Sequence, residues 1–117
     1  MANKDPREPF TRISVSEAKE KIEADQAVMI DVRDPPEYAE VHASGVLLIP
    51  VNTVMNKLSQ IRDFAGEKKE VLFICKMGSR SALAAEYATA AGLEEYELFN
   101  VEGGTEAWDQ AGYPTGD

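Results

Sequence analysis

The residues best suited to covalent chemistry form one short segment, Cys75-Lys76-Met77-Gly78-Ser79-Arg80-Ser81. It holds the only cysteine of the 117-residue chain, with a lysine directly after it and an arginine at the fifth position after it. A thiolate is a strong nucleophile, but an ordinary thiol, with a pKa near 8.5, is only about 3% ionised at neutral pH. Nearby cations and inward-turned backbone N–H groups stabilise the ionised form. The segment therefore predicts a nucleophilic Cys75 whose anion is bound by the following loop.

The elements that must position this cysteine are a strand before it and a helix after it. Residues 71–74 are a fully apolar run behind the charged stretch 67–70, which is typical of a strand buried on both faces. From about residue 81 a helical spacing of apolar side chains begins, at Leu83, Ala84, Tyr87, Ala88 and Ala91, and Gly92 suits its end. Open α/β sheets bind ligands at the carboxyl ends of strands, and helix N-termini favour anions. We therefore expect the substrate to be bound by the loop residues Lys76, Met77, Gly78, Ser79 and Arg80.

A single cysteine has a second interpretation, as a small buried core residue. The cysteine alone favours neither interpretation. Its place at the end of a strand, the nearby Gly78 and the two flanking cations favour a functional thiol.

The rest of the chain alternates between strand and helix signals. Strands are predicted at residues 11–13, 27–32, 46–49, 71–74 and 96–99.

 The first of these strands, at residues 11–13, is expected at an edge of the sheet. One helix is predicted to begin at Ser14, which with Glu17 has the spacing of a capping box, and a short one is predicted at about 37–41. Another is predicted to begin at Asn52, with an apolar stripe of Val54, Met55, Leu58 and Ile61, and the last at about 105–111. This alternation predicts an α/β fold, an open five-stranded parallel sheet with helices on both faces, in a single domain at residues 11–117 after an irregular arm at residues 1–10.

Four segments of the chain share the motifs of a known family. The first is the cysteine loop, with a glycine three residues after the cysteine and an arginine two residues later. The second is Ile30-Asp31-Val32-Arg33 with Glu37-Tyr38, and the third is His42 and Gly45 leading to Ile49-Pro50. The fourth is Val101-Glu102-Gly103-Gly104 with Trp108, Gly112 and Pro114. In this order they resemble the signatures of the rhodanese-like (single-domain sulfurtransferase) family, over roughly residues 12–115. The resemblance implies the same fold and a Cys75 persulfide as the intermediate. Two departures are Lys76, where many members have arginine, and Ala43-Ser44, which replaces the usual isoleucine–proline pair.

The resemblance implies sulfur transfer, and two alternatives remain. In the first hypothesis Cys75 takes the outer sulfur of a small donor such as thiosulfate and passes it to a thiol, cyanide or a sulfur-acceptor protein. A phosphatase or arsenate reductase on the same scaffold is the rival enzyme, but the six residues from Cys75 to Arg80 suit a sulfur atom better than a tetrahedral anion. The third hypothesis is a non-catalytic or weakly active module that relays sulfur or binds a partner.

Composition excludes several other classes. A net charge of −9 and a pI near 4.6 argue against nucleic acid as a partner, although an acidic surface also repels thiosulfate-like anions unless the basic loop reverses the local field. One cysteine rules out an intramolecular disulfide, a Cys-X-X-Cys pair, a cysteine-rich zinc site and a four-thiolate cluster within the chain. There is no apolar run of membrane-spanning length and the first residues lack a signal-peptide core. We expect a cytoplasmic monomer without a cofactor, a metal or a membrane partner.

Several polar residues are assigned supporting roles. His42, the only histidine, is expected to hydrogen-bond the turn before the third strand rather than to act as a base. Arg33 is expected to form an ion pair with Glu37 or another acid, and Asp31 to hydrogen-bond at the end of its strand. Ser79 and Ser81 are expected to hydrogen-bond the loop or cap the helix. Gly103-Gly104 is interpreted as a turn, because it lacks the lysine and the spacing of a phosphate-binding loop.

Overall fold

The computed structural model describes residues 2–116 and joins the strands of this part of the chain in one sheet of six. The strands are β1 (Asn3–Lys4), β2 (Thr11–Ile13), β3 (Ala27–Asp31), β4 (Leu47–Leu48), β5 (Glu70–Ile74) and β6 (Glu97–Val101). Their order is β1-β2-β6-β5-β3-β4, with every neighbouring pair parallel except β1 and β2. The α/β architecture with a mostly parallel sheet is therefore confirmed.

The number of strands and the place of β2 differ from the expectation. The sheet has six strands rather than five, because the arm expected to be irregular contributes β1, which pairs antiparallel with β2. β2 is consequently covered on its outer side instead of forming an edge. A strand of two residues is too short for the alternation of polar and apolar residues that would reveal it in a sequence.

Five α-helices surround the sheet in the described residues, and several of their start signals are as predicted. They are α1 (Val15–Glu23), α2 (Pro35–Glu40), α3 (Leu58–Ala65), α4 (Ser79–Ala90) and α5 (Gly104–Gln110), and a 3-10 helix occupies Val51–Asn56. The capping box before α1 is present: the Glu17 amide donates to Ser14 Oγ and the Ser14 amide to Glu17 Oε1, each at 3.1 Å. Asn52 does not begin a helix. It lies inside the 3-10 helix, which starts directly after Pro50.

Two buried clusters lie on opposite faces of the sheet, because alternate residues of a strand point to opposite sides. One cluster contains Val71, Phe73 and Cys75 with the buried side chains of α3 and α4. The other contains Leu72 and Ile74 with the buried side chains of α1 and α5, among them Trp108. Helices therefore cover both faces as predicted, and the side chain of Cys75 lies on the α4 side.

The buried face of α4 is partly as the apolar spacing predicts, because Ala84 and Ala88 are buried and Tyr87 packs against the core, but two of the predicted positions face solvent. Leu83 is 38% exposed, Ala91 is exposed, and the fully buried positions are Ser81, Ala84, Ala85 and Ala88. Small side chains allow a helix to approach its neighbours closely, so alanine and serine face inward and the larger leucine faces solvent. Met55, expected in the apolar stripe after Asn52, is also exposed, at 48%. No helix in the described part of the chain is both long enough and apolar enough to cross a bilayer.

Candidate active site

The thiol of Cys75 lies directly after β5 and is bound by the loop that leads into α4. The Gly78 amide donates a hydrogen bond to the Cys75 sulfur at 3.0 Å, and Ser81 Oγ lies 3.3 Å from the same sulfur. Cys75 itself is only 1% exposed. Its burial agrees with the core interpretation of a single cysteine, but an apolar core site has no polar groups arranged on the sulfur. The structure thus places the thiol in a covered site, with one N–H donor and one serine hydroxyl directed at the sulfur.

The orientation of the loop is set by the start of α5. The carbonyl oxygen of Cys75 accepts from the Thr105 amide at 2.8 Å, that of Lys76 from Glu106 at 3.2 Å, and that of Met77 from Gly103 at 3.2 Å. In a trans peptide the N–H points away from the preceding C=O, and no described peptide bond is cis. The amides that follow these carbonyls therefore point away from α5, towards the face on which the sulfur lies. Gly78 is the one whose amide meets the sulfur at hydrogen-bonding distance.

Two glycines make this contact between loop and helix possible. Gly78 has a φ of +123°, which side-chain-bearing residues rarely adopt. Gly104 has a φ of +59°, and a Cβ placed there would meet the Lys76 carbonyl oxygen and lie 2.5 Å from that of Cys75. The Gly103-Gly104 pair is thus more than the turn that its sequence predicts. Its contact with the cysteine loop joins residues far apart in the chain and leaves no local signal in the sequence.

The two predicted cations of the loop differ in their surroundings. Arg80 forms a two-point ion pair with Glu37, at 2.7 and 2.9 Å. Their hydrogen bonds lower the pKa of Glu37 to about 2 and raise the pKa of Arg80. Lys76 is exposed and has no ion pair among the described residues. Lys76 is therefore the loop cation whose charge is not already paired.

The arginine at the end of β3 is paired separately. Arg33 and Asp31 form a buried ion pair, with an Nη2–Oδ2 distance of 2.8 Å, and Arg33 Nη2 also donates to the Val41 carbonyl at 2.6 Å. The expectation that Arg33 pairs with an acid is confirmed, with Asp31 as that acid. His42 belongs to the turn after α2, where Nδ1 lies 2.8 Å from the Tyr38 carbonyl oxygen and its ring stacks on that of Tyr38. These contacts agree with a structural role for His42.

A chain of polar side chains continues from the sulfur across β6 and ends at the exposed Glu102. Ser81 Oγ contacts Asn100 Oδ1, and Asn100 Nδ2 contacts Glu102 Oε2. Ser81 and Asn100 are fully buried. Ser81 was expected to hydrogen-bond the loop, but Asn100 and Glu102 were not identified from the sequence. The local signal that could have indicated a buried polar network is the asparagine next to the apolar run of β6.

The remaining loop residues form the outer surface of the site. Met77 is 63% exposed at the tip of the loop, and Ser79, at the start of α4, is exposed. Beside the loop lies a cleft of about 280 Å³. Lys76 and Arg33 line it together with four acids from α2 and α5, and the full lining is Arg33, Glu37, Glu40, Val41, Lys76, Thr105, Glu106, Asp109 and Gln110.

Comparison with known proteins identifies relatives of this arrangement. The model of the rhodanese-like domain matches residues 14–111. The thiosulfate sulfurtransferase GlpE of Vibrio cholerae serotype O1 is 32% identical over 105 residues, which cover 90% of this chain and 93% of that protein. A crystal structure of a rhodanese-related protein from Thermoplasma volcanium has a TM-score of 0.74 at 28% identity, covering 90% of this chain and 96% of the other.

A further solved structure is RPA3614 of Rhodopseudomonas palustris, described as a protein of unknown function and a possible tyrosine phosphatase. It has a TM-score of 0.74 at 29% identity and covers 88% of this chain and 82% of its own. The family model spans most of the sequence, and the related structures share its fold and much of its length. The chain therefore belongs to the rhodanese-like domain family.

Proposed function

We propose that the protein is a rhodanese-type sulfurtransferase, which moves sulfane sulfur from a donor such as thiosulfate to a thiol, to cyanide or to an acceptor protein through a persulfide on Cys75. The observation that carries this proposal is the Gly78 amide, which donates to the Cys75 sulfur at 3.0 Å from a loop whose carbonyls are turned towards α5. This arrangement stabilises negative charge on sulfur. The family and the 32% identity to a thiosulfate sulfurtransferase support the same reaction.

The proposed reaction has two displacement steps. The Cys75 thiolate attacks the outer sulfur of thiosulfate, the sulfur–sulfur bond of the donor breaks, and sulfite leaves with the electron pair. An acceptor thiolate then attacks the outer sulfur of the persulfide, which restores the Cys75 thiolate. Because the chain has one cysteine, the acceptor must be an external molecule.

The residues around the sulfur are given distinct roles in this proposal. The loop amides and Ser81 bind the sulfur anion, and the unpaired charge of the exposed Lys76 attracts an anionic donor to the loop. The pair between Arg80 and Glu37 fixes the end of the loop against α2. Met77 and Ser79 are proposed to contact the donor or acceptor at the exposed rim of the loop. A free thiol fits a reducing compartment, so we place the reaction in the cytoplasm, with the protein as a monomer.

The alternatives have specific support as well. One structural relative is described as a possible tyrosine phosphatase, which favours testing the protein as a phosphatase. The six-residue interval from Cys75 to Arg80 leaves less room for a tetrahedral phosphate than for one sulfur atom. The thiol is only 1% exposed, which limits its access from solvent and is the support for the weakly active module.

The test is persulfide formation on Cys75. Mass spectrometry of the intact protein after incubation with thiosulfate should show one added sulfur, with release of one sulfite per chain. Cys75→Ser should add none and should lose sulfur transfer to cyanide, while its thermal unfolding remains cooperative. Unmodified wild-type protein after thiosulfate treatment would contradict the proposal, as would transfer that persists in Cys75→Ser. Turnover of an aryl phosphate that depends on Cys75 would favour the phosphatase instead.

A further inference from the structure

The polar chain from the thiol through Ser81 and Asn100 to the exposed Glu102 contains a conflict over one proton. Ser81 Oγ lies within hydrogen-bonding distance of two acceptors, the Cys75 sulfur at 3.3 Å and Asn100 Oδ1. A serine hydroxyl has a single proton and can donate to only one of them at a time. Both Ser81 and Asn100 are fully buried, so water does not supply the missing donor.

The carboxylate of Glu102 decides which of the two acceptors receives the proton. An ionised carboxylate only accepts hydrogen bonds, so its neighbour in Asn100 must be the amide nitrogen. This fixes Asn100 Oδ1 towards Ser81, and two oxygens that face each other need the serine proton between them. Ser81 then presents a lone pair to the sulfur, which suits a neutral S–H donor.

We propose that Glu102 is a positioning residue for Cys75, which through Asn100 directs the Ser81 proton away from the sulfur and so holds the resting thiol protonated. When the thiol ionises, its proton passes to water or buffer, and the Ser81 hydroxyl turns its own proton from Asn100 Oδ1 to the sulfur anion. The same turn is needed in the persulfide, whose inner sulfur has no proton. The importance of this control for catalysis rests on the proposed sulfur transfer, but its effect on the thiol does not.

Other charges near the site must be separated from this effect. A Cβ placed on Gly78 would lie 3.6 Å from Glu102 Oε2, so the carboxylate is also close to the loop that binds the sulfur. Three cations lie around the two ends of this polar chain of side chains. Arg12 pairs with Glu102 at 3.2 Å and with Glu8 at 2.5 Å, and Arg80 pairs with Glu37. The third cation is Lys76, directly after Cys75. A direct effect of the Glu102 charge on the thiolate would not require Ser81, whereas the proposed effect does.

The single cysteine allows a direct measurement. The ultraviolet absorbance of the thiolate is followed against pH, with Cys75→Ser as the blank, in the wild type, Glu102→Gln, Ser81→Ala and the Ser81→Ala/Glu102→Gln double variant. In Glu102→Gln the Asn100 side-chain amide is free to turn and donate its N–H to Ser81 Oγ. The Ser81 hydroxyl can then donate its own hydrogen bond to the Cys75 sulfur. We expect the midpoint of thiolate formation to fall by about 0.7 of a pH unit, the shift that corresponds to one ordinary hydrogen bond. In the Ser81→Ala background, Glu102→Gln should leave the midpoint unchanged.

Two further variants complete the test. Glu97→Gln removes a carboxylate from the exposed, opposite end of β6 and should leave the midpoint at its wild-type value. Asn100→Leu removes the competing acceptor and should lower the midpoint as Glu102→Gln does. An equal shift from Glu102→Gln with and without Ser81 would overturn the proposal in favour of a through-space charge effect, and no shift in Glu102→Gln would overturn it outright. Failure of thiosulfate to modify Cys75 in every variant would instead refute the sulfurtransferase proposal, while the absorbance data still decide this one.

Discussion

Each arginine at the candidate site has its own carboxylate partner. Arg80 pairs with Glu37 from α2, and Arg33 pairs with Asp31 in the interior. An arginine in a two-point ion pair fixes geometry more than it adds net positive charge. At the scale of single residues, the anion affinity of the loop therefore depends on its backbone amides and on Lys76.

The pair between Glu37 and Arg80 predicts a pH-dependent contribution to stability. The pKa of Glu37 is lowered from its usual 4.5 to about 2, first through its hydrogen bonds with Arg80. The folded protein thus binds fewer protons than the unfolded chain between these values, so the pair's contribution is complete above about 4.5 and is lost as the pH falls towards 2. The free energy of unfolding of the wild type should therefore rise with pH over this range. Glu37→Gln should reduce that rise by about 1 kcal/mol, a modest amount because the pair is partly solvated.

Urea unfolding of the wild type and Glu37→Gln from acid to neutral pH measures that difference. Glu40→Gln, in the same helix and exposed, is the matched control and should keep the wild-type pH dependence. If Glu37→Gln and the wild type differ by the same free energy at every pH, the ion pair is not the source of the dependence.

The start of α5 serves as a template for the cysteine loop. Three successive loop carbonyls accept hydrogen bonds from Gly103, Thr105 and Glu106, and this orients the intervening peptides. The contact requires a residue without a Cβ at Gly104. At the scale of elements, the C-terminal glycine pair and the cysteine loop form one structural unit although they are far apart in the chain.

Gly104→Ala should separate the two parts of this unit. A Cβ at this position would overlap the backbone of Cys75 and Lys76, so the loop or α5 must move. We expect a loss of about 1–3 kcal/mol in the free energy of unfolding and at least a tenfold loss of sulfur transfer. Gly112→Ala is the matched control, since Gly112 also has a positive φ, of +75°, but has nothing within 4 Å of its Cβ position. That variant should lose some stability and keep its transfer rate, and equal transfer by both variants would contradict the template role.

The fold could be predicted from the sequence where the signal is local. The apolar run of β5, the capping box of Ser14 and Glu17, and the position of Cys75 between a strand and a helix all follow from adjacent residues. The contact of Gly104 with the loop and the alignment of Asn100 with Ser81 depend on which strands become neighbours, so no local pattern encoded them. The buried face of α4 was predicted correctly at Ala84 and Ala88, but Ala85 and Ser81 were missed because small or polar side chains carry little hydrophobic signal, although close packing favours them there.

At the scale of the whole molecule, the net charge of −9 opposes the approach of an anionic donor, while Lys76 favours its binding at contact. Raising the ionic strength from about 0.01 M to about 0.15 M shortens the Debye length from about 30 Å to about 8 Å, which screens the distant carboxylates more than the contact with Lys76. We therefore expect kcat/KM for thiosulfate to rise about two- to fivefold over this range.

The control reaction is alkylation of Cys75 by neutral iodoacetamide, whose rate should stay constant with salt. Lys76→Gln should lower kcat/KM for thiosulfate at every salt concentration. A fall in kcat/KM with added salt in the wild type would mean that the field of the loop outweighs the rest of the surface, contrary to this prediction.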